Sequence, residues 1–201
     1  MKFIISICFL TLSISCSQDK KVQKDNRQDS NVTTYGTQLY GSDFLKFADS
    51  LKLDSLKIAL INSFDIYNED NNRIAHIDAE ELAEFSFDFF LPSLNRLLKG
   101  RGIVLNVRTS EDYEMTNEIF INGEKIQLYT KQELDNNQFW ESGSKHFFKE
   151  VNRQLTNSGL DESFYLLYSG NDLHVLLLTE SQYKIIADKY KGDTKETPYL
   201  P

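Results

Sequence analysis

Apolar positions along this chain change their spacing several times, and each change marks an expected element. Phe44, Leu45, Phe47 and Ala48 recur at helical spacing behind Ser42, a residue type that caps helix N-termini. Ile58, Leu60, Asn62, Phe64 and Ile66 alternate as a strand would, and residues 74–77 predict a shorter strand. The polar run 68–72 between them is turn-forming, so the two together predict a hairpin. Asp78, three residues before Glu81, opens a helix in an Asp version of the capping box. Glu80, Glu81 and Glu84 suit the positive end of that helix's dipole. Leu82, Phe85 and Phe89 give it a buried face, Pro92 kinks or restarts it, and Leu94, Leu97 and Leu98 continue it to Gly100 and Gly102.

Residues 103–107 predict a further strand, and 119–121 with 125–129 flank Asn122-Gly123, a strong hairpin signal. Trp140, Phe147, Phe148, Val151 and Leu155 make one face of a helix over 139–157 that stops near Gly159. Residues 164–168 and 173–179 predict a second hairpin about Gly170-Asn171. Its second arm is apolar on both faces at Val175, Leu176, Leu177 and Leu178, which predicts a central strand. A last helix over 180–190 leads into a polar tail, and no internal repeat occurs. Hairpins separated by helices predict a single α+β domain over 42–201, with a mostly antiparallel sheet and three to four packed helices.

The chain ahead of that domain follows different rules. Lys2 supplies a positive start, residues 3–14 are almost wholly apolar, and Ser13-Ile14-Ser15 places small residues before Cys16. These are the three regions of a secretory signal peptide over 1–15. The apolar run is shorter than the roughly 20 residues that span a bilayer. With a cysteine at the cleavage point, the stretch resembles the lipobox of bacterial lipoproteins, with Ser13 where the usual leucine stands and Leu12 one position earlier. The resemblance implies a signal removed at Cys16, lipidation of that cysteine by acyl chains such as palmitate, and anchoring in a lipid bilayer of the cell envelope, the outer membrane. Ser17-Gln18-Asp19 is similar to the acidic tag of surface-directed Bacteroidota lipoproteins, though thinner in acids; periplasmic and surface-exposed placements both stay open. Residues 16–41 are polar with no apolar periodicity and read as a disordered tether.

Composition narrows the function. The 14 Phe and 10 Tyr suffice for a real core. The net charge of −8 becomes −9 once Lys2 leaves with the signal, and no Lys/Arg cluster appears, which argues against nucleic acid as a partner. Cys8 lies in the signal and Cys16 in the anchor. The mature chain therefore has no thiol for a disulfide, a zinc–cysteine site or a nucleophile.

Candidate chemistry is sparse. His76 and Asp78 would share one strand face with Glu81 nearby, a histidine between carboxylates able to act as general base; the plain alternative is a strand-end histidine beside a helix cap. Asn68, Asp70 and Asn72 alternate like calcium ligands. An EF-hand, however, needs Gly and Glu where Arg73 and Ala79 stand, so a turn is expected. His76, His146 and His174 fall on three elements with no pair at ligand spacing, and neither a metal nor another cofactor is expected. Lys99-Gly100-Arg101-Gly102 follows a helix rather than preceding one, and so reads as a C-cap instead of a phosphate cradle.

Acidic groups over 80–88, 111–118 and 133–141 are interrupted by Tyr113, Phe139 and Trp140. An acidic rim around aromatic anchors suits a basic protein partner, with Glu80, Glu84, Tyr113, Phe139 and Trp140 as the expected contacts. The expected function is a lipid-anchored extracytoplasmic protein-binding module, an immunity or inhibitor lipoprotein being one form. Two alternatives stand beside it. One is a small envelope hydrolase using His76, Asp78 and Glu81. The other is a small-ligand carrier with an apolar cavity between the sheet and the 79–99 helix.

Overall fold

The structure, a computed structural model, describes residues 26–201, with side chains from residue 32 onward. In chain order the elements are α1 (Asn26–Gly41), α2 (Leu53–Ser63), β1 (Ile74–His76), α3 (Ala79–Ala83), α4 (Leu91–Lys99) and β2 (Val107–Thr109). They continue with α5 (Tyr113–Thr116), β3 (Glu118–Ile121), β4 (Glu124–Gln127), α6 (Lys131–Asp135) and α7 (Phe139–Asn157). β5 (Glu162–Leu167), β6 (His174–Thr179) and α8 (Glu180–Lys189) complete the set.

β6 is the middle strand of an antiparallel sheet ordered β1-β6-β5. Its continuous apolar run is explained by two cores. Val175 and Leu177 join one core with Ala75, Phe164 and Leu166, packed by α3, α4 and α7. Leu176 and Leu178 join the other with Ile74, Tyr165 and Leu167, packed by α1, α2 and α8. Burying each such side chain contributes about 1.5–3 kcal/mol, so a strand buried on both faces anchors both layers at once. The second sheet, β2-β3-β4, turns about Asn122-Gly123, whose φ values of 51° and 89° are those a tight hairpin requires. It docks Ile119 and Ile121 into the first core beside Val151 and Leu155. The domain is α+β as expected, but it carries two small antiparallel sheets instead of one, and eight helices among the described residues.

Several local expectations are corrected. A helix, α1, occupies the second half of the segment read as a tether, so the folded body begins before residue 42. Val32, Tyr35 and Leu39 form its packed stripe, and Leu39 is fully buried. Gly36 lets α1 lie so close to α2 that a Cβ there would stand 2.3 Å from Leu60 O. Ser42 ends this helix instead of starting one: its hydroxyl donates to Leu39 O at 2.6 Å.

The alternating stretch 58–66 is not a strand. Most of it belongs to α2, in which Leu56 and Leu60, one turn apart, are buried while Ile58 between them is exposed. β1 therefore pairs with β6 rather than with this segment. The helix after Asp78 comes in two pieces: Phe85 at φ 63° breaks it, and Pro92 sits in the first turn of α4, where its missing N–H costs nothing. The strand expected over 103–107 lies at Val107–Thr109. The signal segment, Cys16 and residues 16–25 of the expected tether lie outside the described residues. No helix among the described residues is long and apolar enough to cross a membrane.

Candidate functional site

The β1-β6-β5 sheet holds a polar cluster at each end. Where β5 begins and β6 finishes, Glu162 lies between Arg73 and Arg101, and the three side chains are at most 6% exposed. Arg73 sits just before β1, and Arg101 is turned inward from the loop that Gly102, at φ 72°, closes behind α4. Both guanidiniums donate to the Glu162 carboxylate. Arg73 donates further to Phe44 O at 2.7 Å, Asp43 O at 3.0 Å and Leu177 O at 3.1 Å. Arg101 donates to Leu97 O at 2.6 Å and lies 4.1 Å over the Phe47 ring. Burial pushes the Glu162 carboxyl up, but the Arg101 and Arg73 guanidiniums outweigh it and hold it below the usual carboxylate range. Both carboxylate oxygens are committed to arginines. This end is a structural clasp joining residues 43–47, the start of β1, β5 and the α4 loop.

The opposite end carries the 3₁₀ turn Gly170–Asp172 between β5 and β6. His76 and His174 are register partners there, their rings 4.7 Å apart. His76 Nε2 bonds Asn171 O at 2.7 Å, and His174 Nδ1 bonds Asp172 O at 2.7 Å. Asn171 Nδ2 in turn donates to Glu80 Oε2 at 3.1 Å. Asp78 caps α3, its Oδ1 accepting from Glu80 N at 3.0 Å and Glu81 N at 3.4 Å. The bonds of His76 thus run to the β5–β6 turn and those of Asp78 to the helix start. Among the described residues no hydrogen bond or ion pair joins His76 to Asp78 or Glu81, so the acid–base arrangement is not assembled.

The aromatic candidates do come together, with Glu84 beside them, while Glu80 is bonded to Asn171 at the β5–β6 turn. Phe139 and Trp140 open α7 with ring centroids 5.6 Å apart, and Phe139 meets Tyr129 at 5.5 Å. Tyr129 meets Phe85 at 6.2 Å, and Phe85 meets Tyr113 at 5.0 Å. An unbroken aromatic chain thus links Trp140 of α7 to Tyr113 of α5 through Tyr129 and Phe85, which lie in the connecting segments. It is fixed at its middle, where Tyr129 donates to Ala83 O at 3.0 Å. Burial pushes the Tyr129 hydroxyl up, and the charge of the neighbouring, exposed Glu84 adds to it. Trp140, 36% exposed, lines a groove of about 380 Å³ with Ser169, Gly170, Leu173 and Tyr199, which brings this surface to the same β5–β6 turn.

A second recess, of about 580 Å³, opens on the other side of that turn beside Tyr168, Asp172, His174, Lys195 and Tyr199. Its wall is held by Glu196, which accepts from Tyr67 at 2.6 Å and Tyr168 at 3.0 Å. Burial, then the bond to Glu196, pushes the Tyr67 hydroxyl far up, so it stays a neutral donor. Tyr199 of the tail pairs with Leu166 through two backbone bonds of 2.8 and 2.9 Å, covering the outer edge of β5.

His146 lies elsewhere, on α7, with Nδ1 bonded to Leu128 O at 2.8 Å. The region between the sheet and α4, where a carrier's cavity was expected, is filled by Leu94, Leu97, Val175 and Leu177, all fully buried in one cluster. Sequence reasoning missed Tyr67, Tyr168, Glu196 and Tyr199. The one available signal is a Tyr-Leu pair between prolines in an otherwise polar tail. Comparisons of the chain with protein-family models, with curated proteins and with solved structures gave no match.

Proposed function

We propose that this protein is a lipid-anchored, extracytoplasmic binding module that meets a basic protein through the surface of Glu80, Glu84, Tyr113, Phe139 and Trp140. The observation that carries this reading is the aromatic chain from Trp140 to Tyr113, assembled from residues far apart in sequence and edged by exposed Glu84. Rings already locked against one another lose little freedom on binding, and a negative rim speeds and orients a positive partner. An immunity or inhibitor role, with the surface covering an incoming toxin domain, is one form of this function. The capping role of Asp78 counts against the hydrolase alternative, and the filled core counts against a carrier cavity beneath α4.

Affinity capture from envelope extract tests the reading, with the detergent-solubilised full chain as bait. A single basic protein should be retained at low salt, released at high salt, and lost with Phe139→Ala/Trp140→Ala and with Glu80→Lys/Glu84→Lys. Retention by both variant pairs would contradict the assigned surface. Labelling with radioactive palmitate tests the anchor separately: wild type should incorporate label and Cys16→Ala should not. Equal labelling of the two would remove Cys16 as the attachment point.

A further inference from the structure

The two histidines at the open end of the sheet share a geometry that the binding surface does not use. The ladder bonds Leu177 N to Arg73 O, 2.8 Å, and Ile77 N to Leu173 O, 2.9 Å, fall at alternate register positions from the histidine pair. His76 and His174 therefore occupy a non-hydrogen-bonded pair, the antiparallel position at which facing side chains lie closest. Each ring is steadied by an aromatic edge, His76 by Phe89 at 5.7 Å and His174 by Tyr168 at 5.9 Å.

Each imidazole also has one nitrogen committed and one spare. A carbonyl oxygen only accepts, so in the neutral rings the proton sits on His76 Nε2, facing Asn171 O, and on His174 Nδ1, facing Asp172 O. His76 Nδ1 and His174 Nε2 are left as lone-pair nitrogens. An N–H given to a backbone carbonyl is the outer-shell bond that fixes tautomer and orientation in metal-ligating histidines. The spacing also fits. A metal–nitrogen bond of roughly 2.0–2.1 Å puts each ring centroid roughly 3.2 Å from the ion, and two adjacent ligands at the roughly 90–100° of a square-planar or tetragonal Cu²⁺ then have centroids roughly 4.5–4.9 Å apart. The separation here is 4.7 Å.

We infer that His76 and His174 form a two-histidine site for a late first-row divalent metal, Cu²⁺ ahead of Zn²⁺ by the usual affinity order for nitrogen ligands. The pair borders a recess of about 250 Å³ shared with Tyr67, Glu69, Ile74 and Tyr168. Among the described residues no group of three or more His, Cys, Asp or Glu side chains could hold a metal. The remaining coordination positions belong to water or to a small ligand in the adjoining 580 Å³ recess, which His174 also lines.

Titration with Cu²⁺ tests this, using the detergent-solubilised protein with any unprocessed cysteine alkylated so that thiols do not compete. One tightly held ion per chain is expected, with an electron paramagnetic resonance signature of two imidazole nitrogens. Outer-shell partners alone are worth about 10–100-fold in affinity, so His76→Ala and His174→Ala should each weaken binding at least tenfold. His146→Ala should leave it unchanged. Equal affinity in wild type and both histidine variants would overturn the site. If either variant fails to fold, the wild-type spectrum decides: fewer than two imidazole nitrogens rules the pair out.

Discussion

At the Glu162 end of the central sheet, two guanidiniums and a carboxylate are buried together and bonded to each other and to four backbone carbonyls. At the Gly170–Asp172 end, two imidazoles, three tyrosines and Glu196 stand part-exposed around two recesses, and each imidazole keeps a ring nitrogen uncommitted. The residue types are chemically rich at both ends, and a recess of about 420 Å³ borders the first as well. There, however, both carboxylate oxygens are taken up by arginines, whereas each imidazole at the other end keeps a lone-pair nitrogen. The difference shows that charge and burial alone do not mark a site. A buried ion cluster whose charges are matched within the fold fastens the chain, whereas part-exposed groups with a free lone pair can take a ligand or partner.

Glu162→Gln should break the comparison most severely. It leaves two buried guanidiniums sharing a neutral amide, and removal of one member of such a cluster costs about 3–5 kcal/mol. Urea denaturation at neutral pH would show the loss. The pH dependence has a definite sign. The Glu162 carboxyl is held below its ordinary range in the fold, so its contribution is present above the ordinary glutamate pKa of about 4.3 and is lost as pH falls through the lower folded value. Wild type should therefore lose more stability than Glu162→Gln as pH falls through that interval.

Gly36→Ala comes next. An added Cβ would stand 2.3 Å from Leu60 O and 2.7 Å from Ile61 Cα, so α1 must move off α2. A cost of about 1–3 kcal/mol is expected. The shift should reach the clasp, because Phe44 and Asp43, just beyond α1, supply two of the carbonyls that Arg73 holds. A stable Gly36→Ala protein would show that α1 is not part of the folded body.

Substitutions at the open end should be mild in stability, and function should be lost only where they touch the proposed contact surface. Asp78→Ala removes a helix cap and should cost about 1 kcal/mol by thermal unfolding, with partner capture preserved. Trp140→Ala removes a one-third-exposed ring that meets Phe139 edge to face and should cost no more than about 1 kcal/mol. Capture should nonetheless be lost. A Trp140→Ala protein as unstable as Glu162→Gln would place Trp140 among structural residues and erase the distinction between the ends.

The sequence carried the central strand, the tight turn at Asn122-Gly123 and the β5–β6 hairpin plainly, because the apolar run 175–178 and the Asn122-Gly123 pair are local signals. The hairpin expected from 58–66 and 74–77, by contrast, did not form. α2 was illegible for a local reason: over a few residues, alternation and helical spacing share members, and Leu56 and Leu60 fit either period. α1 was hidden because only Val32, Tyr35 and Leu39 mark its packed face, amid polar neighbours and a glycine whose role is close approach. Among site residues, the acidic and aromatic candidates could be picked by composition, but only the fold joins Tyr113 to Trp140 through Phe85 and Tyr129. The histidine pair and the Arg73–Glu162–Arg101 clasp had no spacing to reveal them, since their members meet across strands and loops distant in the chain.

Site-specific photo-crosslinking in intact cells tests the central claim, that the β5–β6 turn end is the working end of the molecule. A benzophenone side chain would be placed at position 141, on the same groove as Trp140, in one protein and, in another, at position 51, where Leu51 is 94% exposed in the loop before α2. One discrete adduct is expected from position 141 and none from position 51. An adduct from position 51 with none from position 141 would contradict the claim and move the binding surface to the α1–α2 layer.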